Sequence, residues 1–408
     1  MFVRTLLRAC TAALVLFIPL SHAKDTQASA TPAAKQLHAL LNDHWEWTRR
    51  EFPEASTAQG DHRYNDRLTD LSPEAVAKRK QKQAEFYARL KKIDPSKLDK
   101  QDRISYAVFE RQRKSEQRIN AIYGNLPFSA SDNWLPLSTM SGLHTSLPTW
   151  PRSAPFNDVK DYENYLKRLQ ALPRLIDQLI ARLEVGMNSG WMPGAVAIAR
   201  IPSQLDAHTV TDMNKNLTYV PFLKFPPSIP AAEQTRLADA GRKALLEGVV
   251  PAFQKLKTFY QQQYMAKARK DIAASTLPGG MAYYNAMVAD MTTTEMTAQQ
   301  VHETGLAEVK RIDAEMEKAV QASGFKGTRA EFINFINTDP QFLFTSSDAI
   351  LAHYRDIAKR ADAAIPPLFA EVPRLQYGIR AMEPWEGDNA EHYTRGNADG
   401  SRAAYFEA

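Results

Sequence analysis

Apolar residues recur at helical spacing along most of the chain. Leu37, Leu40, Leu41 and Trp45 step by 3, 1 and 4, which predicts a helix from Ala34 to Arg50. Trp47 falls off that stripe and is expected to face a different neighbour. Ser72-Pro73-Glu74 reads as an N-cap with proline at the first helical position and opens a helix to Lys92, broken by Asp94-Pro95. Asp99–Tyr123 is another helix. Asn157-Asp158 caps a long one, whose stripe runs through Tyr162, Tyr165, Leu169, Leu172, Ile176, Leu179 and Leu183, with a kink predicted at Pro173. Further helices are predicted over about 203–216 and over 231–271, the latter broken near Gly248–Pro251. Thr297 and Gln300 have capping-box spacing and open a helix bearing Val301, Val309, Ile312, Met316 and Val320. Two shorter helices follow, at 329–337 and 346–361.

Two stretches differ. Between residues 124 and 156 five prolines and two glycines alternate with Trp134, Trp150 and several leucines, and so apolar a loop is expected to line a cleft. Near the end, Arg374–Arg380 alternates as a strand does, and Arg402–Phe406 does so more weakly. The predicted fold class is mainly α: a multi-helical architecture with a few short strands near the C-terminus.

The beginning of the chain reads as an address. Arg4 and Arg8 precede the apolar run Ala9–Leu20, and Ser21-His22-Ala23 supplies the small residues of a cleavage site. That run is too short to span a bilayer, which takes about 20 residues. Residues 1–23 are therefore read as a signal peptide, 24–33 as a flexible leader and 34–408 as one helical domain. Cleavage removes Cys10, the only cysteine, which suits an oxidising compartment. The expected location is periplasmic or secreted, with no stable membrane anchor after cleavage. The net charge of +5 is small for 408 residues, and acids and bases interleave. That argues against a nucleic-acid partner.

Motifs for chemistry are scarce. Val301-His302-Glu303-Thr304-Gly305-Leu306 begins like the zinc-binding His-Glu-x-x-His, in which two histidines share a helix face and the glutamate activates a bound water. Leu306 occupies the position of the second histidine. No two of the nine histidines are closer than six residues, so no helical metal pair exists. Nucleophile-elbow, phosphate-loop and dinucleotide fingerprints are all missing from the sequence.

Several phrases taken in order resemble the bacterial DUF885 family: Trp45-Glu46-Trp47, then Phe52 to Asp61; Asp161 to Leu169; Val301 to Val309; Thr338 to Phe342; and Asn397 to Arg402. The resemblance implies a mostly helical exported protein, similar in architecture to gluzincin metallopeptidases. Those enzymes hold zinc with a His-Glu-x-x-His helix and a later glutamate, and members of this family carry a related phrase shortly after the segment matching Gly400–Phe406. The zinc ligands therefore have no matching positions here. No cofactor is expected in this chain, zinc being expected in intact members. Residues 1–408 are accordingly expected to be the N-terminal portion of a longer protein, or a frameshifted or truncated product.

By the same resemblance, the strand before the zinc helix is an edge strand that pairs with substrate, which makes Gly400, Ser401, Arg402, Tyr405 and Phe406 candidate substrate-cleft residues, joined by Tyr393 and more distantly by Arg380. The expected function is to supply the cleft walls of a peptidase-like protein acting on peptides, inactive as it stands. The alternative is a non-catalytic periplasmic protein that holds a peptide or small ligand with the loop at 124–156.

Overall fold

The computed structural model describes residues 31–408, except 370, 371, 373, 374, 383–390, 398, 399 and 401. The predicted signal peptide, leader residues 24–30 and Ser401 lie outside the described residues. The fold is mainly helical with three short strands near the C-terminus, as the periodicity predicts.

Helix α1 (Pro32–Glu51) begins two residues earlier than the apolar stripe suggests, because the Thr31 side chain caps it by accepting from the Ala34 N–H. Its buried face is Leu37, Leu40 and Trp47, while Trp45 is exposed. The expected roles of the two tryptophans are thus reversed. The core face runs 37-40-44-47, and Trp45 is covered instead by the Arg49 guanidinium, 3.6 Å from its ring. Helix α2 (Pro53–Ala58) follows at once. Helices α3 (Pro73–Leu90) and α4 (Lys100–Tyr123) pack with α1, closing Phe86, Leu90, Tyr106 and Phe109 into one cluster. His44 sits among the rings of Trp47, Phe86 and Phe109. Its Nε2 accepts from Arg113 Nη1 at 2.6 Å, so the imidazole is neutral.

Helix α5 (Val159–Ser189) is the spine of the larger core, capped by Asp158 and ended by Gly190 at φ +78°. Pro173 lies within it. The helix predicted over 203–216 stops at Asp206. The β-branched Thr209-Val210-Thr211 disfavours continuation, and Asn216 instead donates its side-chain amide to the Val210 carbonyl. The predicted break at 248–251 is a continuous turn. Helices α6 (Ala231–Ala244) and α7 (Val250–Phe259) are joined by a π-turn at Leu245–Val249, which absorbs the N–H that Pro251 lacks.

His208 stacks on Phe253 of α7 with ring centroids 4.4 Å apart and donates Nε2–H to the His144 carbonyl. Burial lowers its pKa to about 4, and burial with Arg113 lowers that of His44 to about 4, both from 6.5. Each ring is neutral in the fold and takes a proton on unfolding once the pH is below 6.5. Stability is therefore complete above that pH and is lost as the pH falls through about 4, by up to ~3 kcal/mol for His208. Melting temperatures taken across this window should show the fall, and His208→Gln should flatten it. A His208→Gln profile parallel to the parent's would refute this assignment.

Beyond residue 280 the packing changes. Helices α8 (Gly280–Thr292), α9 (Ala298–Ala322), α10 (Arg329–Thr338) and α11 (Ser347–Ala364) follow; the expected Thr297/Gln300 capping box forms, and Thr328/Glu331 makes a second, unpredicted one. Yet the apolar stripe of α9 faces outward: Leu306 is 59% and Val309 58% exposed, and only Val320 is buried. From residue 280 on, Ala286, Val320, Leu351 and Ala404 are the buried apolar side chains among the described residues. Among the described residues these amphipathic helices leave much of their apolar faces exposed.

Strands β1 (Tyr377–Arg380), β2 (His392–Thr394) and β3 (Ala404–Glu407) form a sheet in the order β1-β3-β2. β1 runs parallel to β3 with Tyr377 opposite Ala404, and β2 runs antiparallel with His392 opposite Glu407. The strand expected at an edge, β3, is therefore central, with its backbone paired on both sides.

Candidate functional site

The end of α2 and the tail of the chain meet across a cavity of about 400 Å³, lined by Ala58 and Gln59 on one side and by Tyr393, Arg395, Gly396 and Asn397 on the other. The α2 wall is held from below. Buried Arg168 of α5 donates to the carbonyls of Pro53, Tyr64 and Arg67 and to Thr57 Oγ1 at 2.7 Å. Thr57 in turn donates to Asn65 Oδ1. Gly60 follows at φ +88°, and a Cβ there would sit 2.9 Å from Asn397 Cγ, so both the turn and the closeness of the tail require glycine.

The tail wall is a tight loop. Asn397 N–H donates to the Arg402 carbonyl and Gly400 N–H to the Asn397 carbonyl, with Gly400 at φ +80°. Arg402 Nη2 donates to the Ala58 carbonyl at 3.0 Å and to Asn397 Oδ1 at 3.2 Å, clamping the two walls together. Two phrases more than 330 residues apart in the sequence thus form one site.

Charge around the cavity is arginine-rich. Arg49 donates to Gln59 Oε1 at 2.6 Å, which fixes the direction of that amide. Arg63 bridges Asp61 and Glu46. Its hydrogen bond holds the Asp61 carboxyl below the usual carboxylate range. Arg395 is exposed beside the exposed ring of Tyr393. An oriented amide, an exposed guanidinium and an aromatic face can hold a peptide-like chain by its carbonyl or carboxylate oxygens.

The predicted cleft residues divide. Tyr393 lines the cavity, and Arg402 and Gly400 build its wall. Tyr405 and Phe406 point to opposite faces of β3, as neighbours in a strand must. Tyr405 lies under the Arg380 guanidinium at 4.4 Å, while Phe406 packs on Tyr354 of α11. Arg380 donates to Glu407 at 2.6 Å, as does Thr394 at 2.7 Å. Burial pushes the Glu407 carboxyl up, but these donors outweigh it and hold the group below the ordinary range. Gln59, Arg395 and Asn397 went unpredicted as site residues. Gln59 and Asn397 stand inside the phrases that carry the resemblance, while Arg395 has no local signal.

His302 and Glu303 sit on the open side of α9, both exposed, with Glu303 accepting from Gln299. Among the described residues no three His, Cys, Asp or Glu side chains converge as a metal site would require. The donors present do not fit a zinc ion.

The family model described as "Bacterial protein of unknown function (DUF885)" matches residues 53–408. The chain belongs to the DUF885 family. This DUF885 chain also superimposes on the solved structure of "the putative lipoprotein from Colwellia psychrerythraea", with a TM-score of 0.79 at 20% identity. The match covers 92% of this chain and 67% of that one. The likeness is one of fold. None of the curated proteins compared with this DUF885 member matches it. Among its described residues no helix is long and apolar enough to cross a membrane.

Proposed function

We propose that this chain is the helical body of an exported, gluzincin-like peptidase, that it supplies a wall of a peptide-binding cleft, and that the zinc-binding residues belong to further polypeptide. The observation that carries this reading is the convergence of Ala58 and Gln59 with Tyr393, Arg395 and Asn397 on one cavity, its two walls joined by Arg402. The open apolar faces of α9 to α11 support it, since they offer a surface on which more chain can fold. In such an assembly Gly400, Arg402 and Tyr393 border the substrate, with Tyr405 and Phe406 anchoring the sheet beneath.

The chain alone is then expected to retain no stoichiometric zinc after dialysis and to leave a mixed-peptide digest unchanged by mass spectrometry. Zinc-dependent cleavage of amide bonds by the purified chain would overturn the assignment.

The second reading, a non-catalytic ligand-binding protein, is favoured by one observation. The loop at 124–156 lines a cavity of about 220 Å³, in which Asn133, Leu135, Pro136 and Leu143 face Leu175, Leu179 and Arg182. A compact, cooperatively melting monomer would support it, whereas a molten or aggregating chain would support the first.

A further inference from the structure

The cavity between α2 and the tail has a polarity, and the direction of its hydrogen bonds sets it. Gln59 Oε1 accepts from Arg49 Nη2 at 2.6 Å, and Asn397 Oδ1 accepts from Arg402 Nη2 at 3.2 Å. The Ala58 carbonyl accepts from the same Arg402 nitrogen at 3.0 Å. The side-chain amide oxygens of the described lining residues are thus already engaged by arginine. An amide whose oxygen is held in this way offers its N–H groups on the other side, so Gln59 meets a ligand as a donor. Arg395 lines the same cavity, and a guanidinium only donates.

Charge points the same way. Arg63 binds the carboxylates of Asp61 and Glu46. Arg402 donates instead to two neutral oxygens, and those contacts leave its positive charge uncompensated. Arg395 adds a second cation, and it is exposed.

The donors are held in place before any ligand arrives. Gln59 ends α2, its N–H bonded to the Ala55 carbonyl. Arg395 directly follows β2, in which Thr394 is opposite Tyr405, and two residues later the Asn397 N–H bonds the Arg402 carbonyl. Leu375, Ala404 and the ring of Tyr393 supply apolar lining for methylene groups. A site whose side chains donate and do not accept favours a group that only accepts. It disfavours the amide isostere, which must set N–H groups against donors.

We propose that this cavity selects a carboxylate over a carboxamide, as carried by an acidic side chain of a peptide or by its free C-terminus. Arg395 and the Gln59 amide are the donors, and Arg49 is the positioning residue that fixes Gln59. The inference rests on the reading of this site as a peptide cleft and adds the substrate class.

Titration calorimetry of the purified chain with N-acetyl-Ala-Glu-Ala-amide, N-acetyl-Ala-Gln-Ala-amide and N-acetyl-Ala-Gln-Ala tests it and separates the two sources of the carboxylate. At least one anionic peptide should bind about tenfold more tightly than the neutral one, the ratio that one charge-assisted contact supplies. Preference for the glutamate peptide assigns the site to an acidic side chain, and preference for the free acid to a chain terminus. Arg395→Gln, at an exposed position, should bring the ratio close to one. Arg49→Met should lower it too, because Gln59 can then turn its oxygen toward a carboxamide; a merely structural role for Arg49 would weaken all three peptides alike. Equal binding of the three peptides overturns the proposal and leaves the cleft reading standing. A ratio that either variant leaves unchanged does the same. Absence of binding by all three at about 10 mM overturns the cleft reading, and the proposal with it.

Discussion

Asp132→Ala is expected to destabilise the chain by about 3–5 kcal/mol, the typical result of removing one partner from a buried charge pair. Asp132 is 4% exposed and accepts from Arg79 Nε at 2.9 Å and Nη2 at 3.1 Å, a two-pronged contact. The Ser129 hydroxyl donates to the same carboxylate at 3.0 Å, and Arg182 Nη1 stands 3.7 Å away. Both arginines are buried too, with side chains 1% and 5% exposed. Glu51, 3.5 Å from Arg79, is the nearest remaining anion and is itself partly solvated. The alanine variant would leave two desolvated cations facing an empty space between α3, α5 and the loop at 129–133. Asp132→Asn keeps the volume and the contact from Ser129, and should cost less. Denaturant melts of the three chains check the order; a loss below about 1 kcal/mol for the alanine variant would place the network outside the stabilising core.

Arg168→Met should have the second largest effect, about 3–4 kcal/mol, and it should also disturb the cleft. The four acceptors of Arg168 all lie in residues 53–67, the segment that carries α2 and the turn at Gly60. Methionine fills much of the space but donates nothing, so buried carbonyls lose their partners. Burial lowers the Arg168 pKa, with Glu54 and Asp66 pulling the other way, which shows how little solvent compensates this guanidinium. Because all four acceptors lie in this segment, the variant should increase amide exchange at Ala58–Gly60 more than at α1 or α3. Uniform exchange changes across the chain would instead mean that Arg168 serves only overall stability.

The elements with strong caps and wide stripes were legible in the sequence. Ser72-Pro73, Asp158 and the Thr297/Gln300 box all start helices where they should, since the capping signal is local and each residue meets its partner within three positions. What could not be read was the direction in which a stripe faces. Trp45 and Trp47 both suit a helix face, and the choice between them is made by Phe86 and Phe109, which come from other helices. The stripe of α9 is as regular as that of α5, yet among the described residues only the stripe of α5 is largely buried. β2, three residues long, has no room to display alternation. The cleft was half legible. Its phrases could be picked out, but their meeting is a tertiary fact, and Arg395 entered the site purely through position.

The contact from Arg402 to Ala58 spans 344 residues. A bond of such long range forms after the local helices, because the entropy of closing so large a loop must be met first. The α2 turn therefore waits for residues near position 400 before its pocket exists. Any ligand of that pocket can engage only a chain in which these two distant segments have already met, so occupancy reports on completed tertiary folding and not on helix formation.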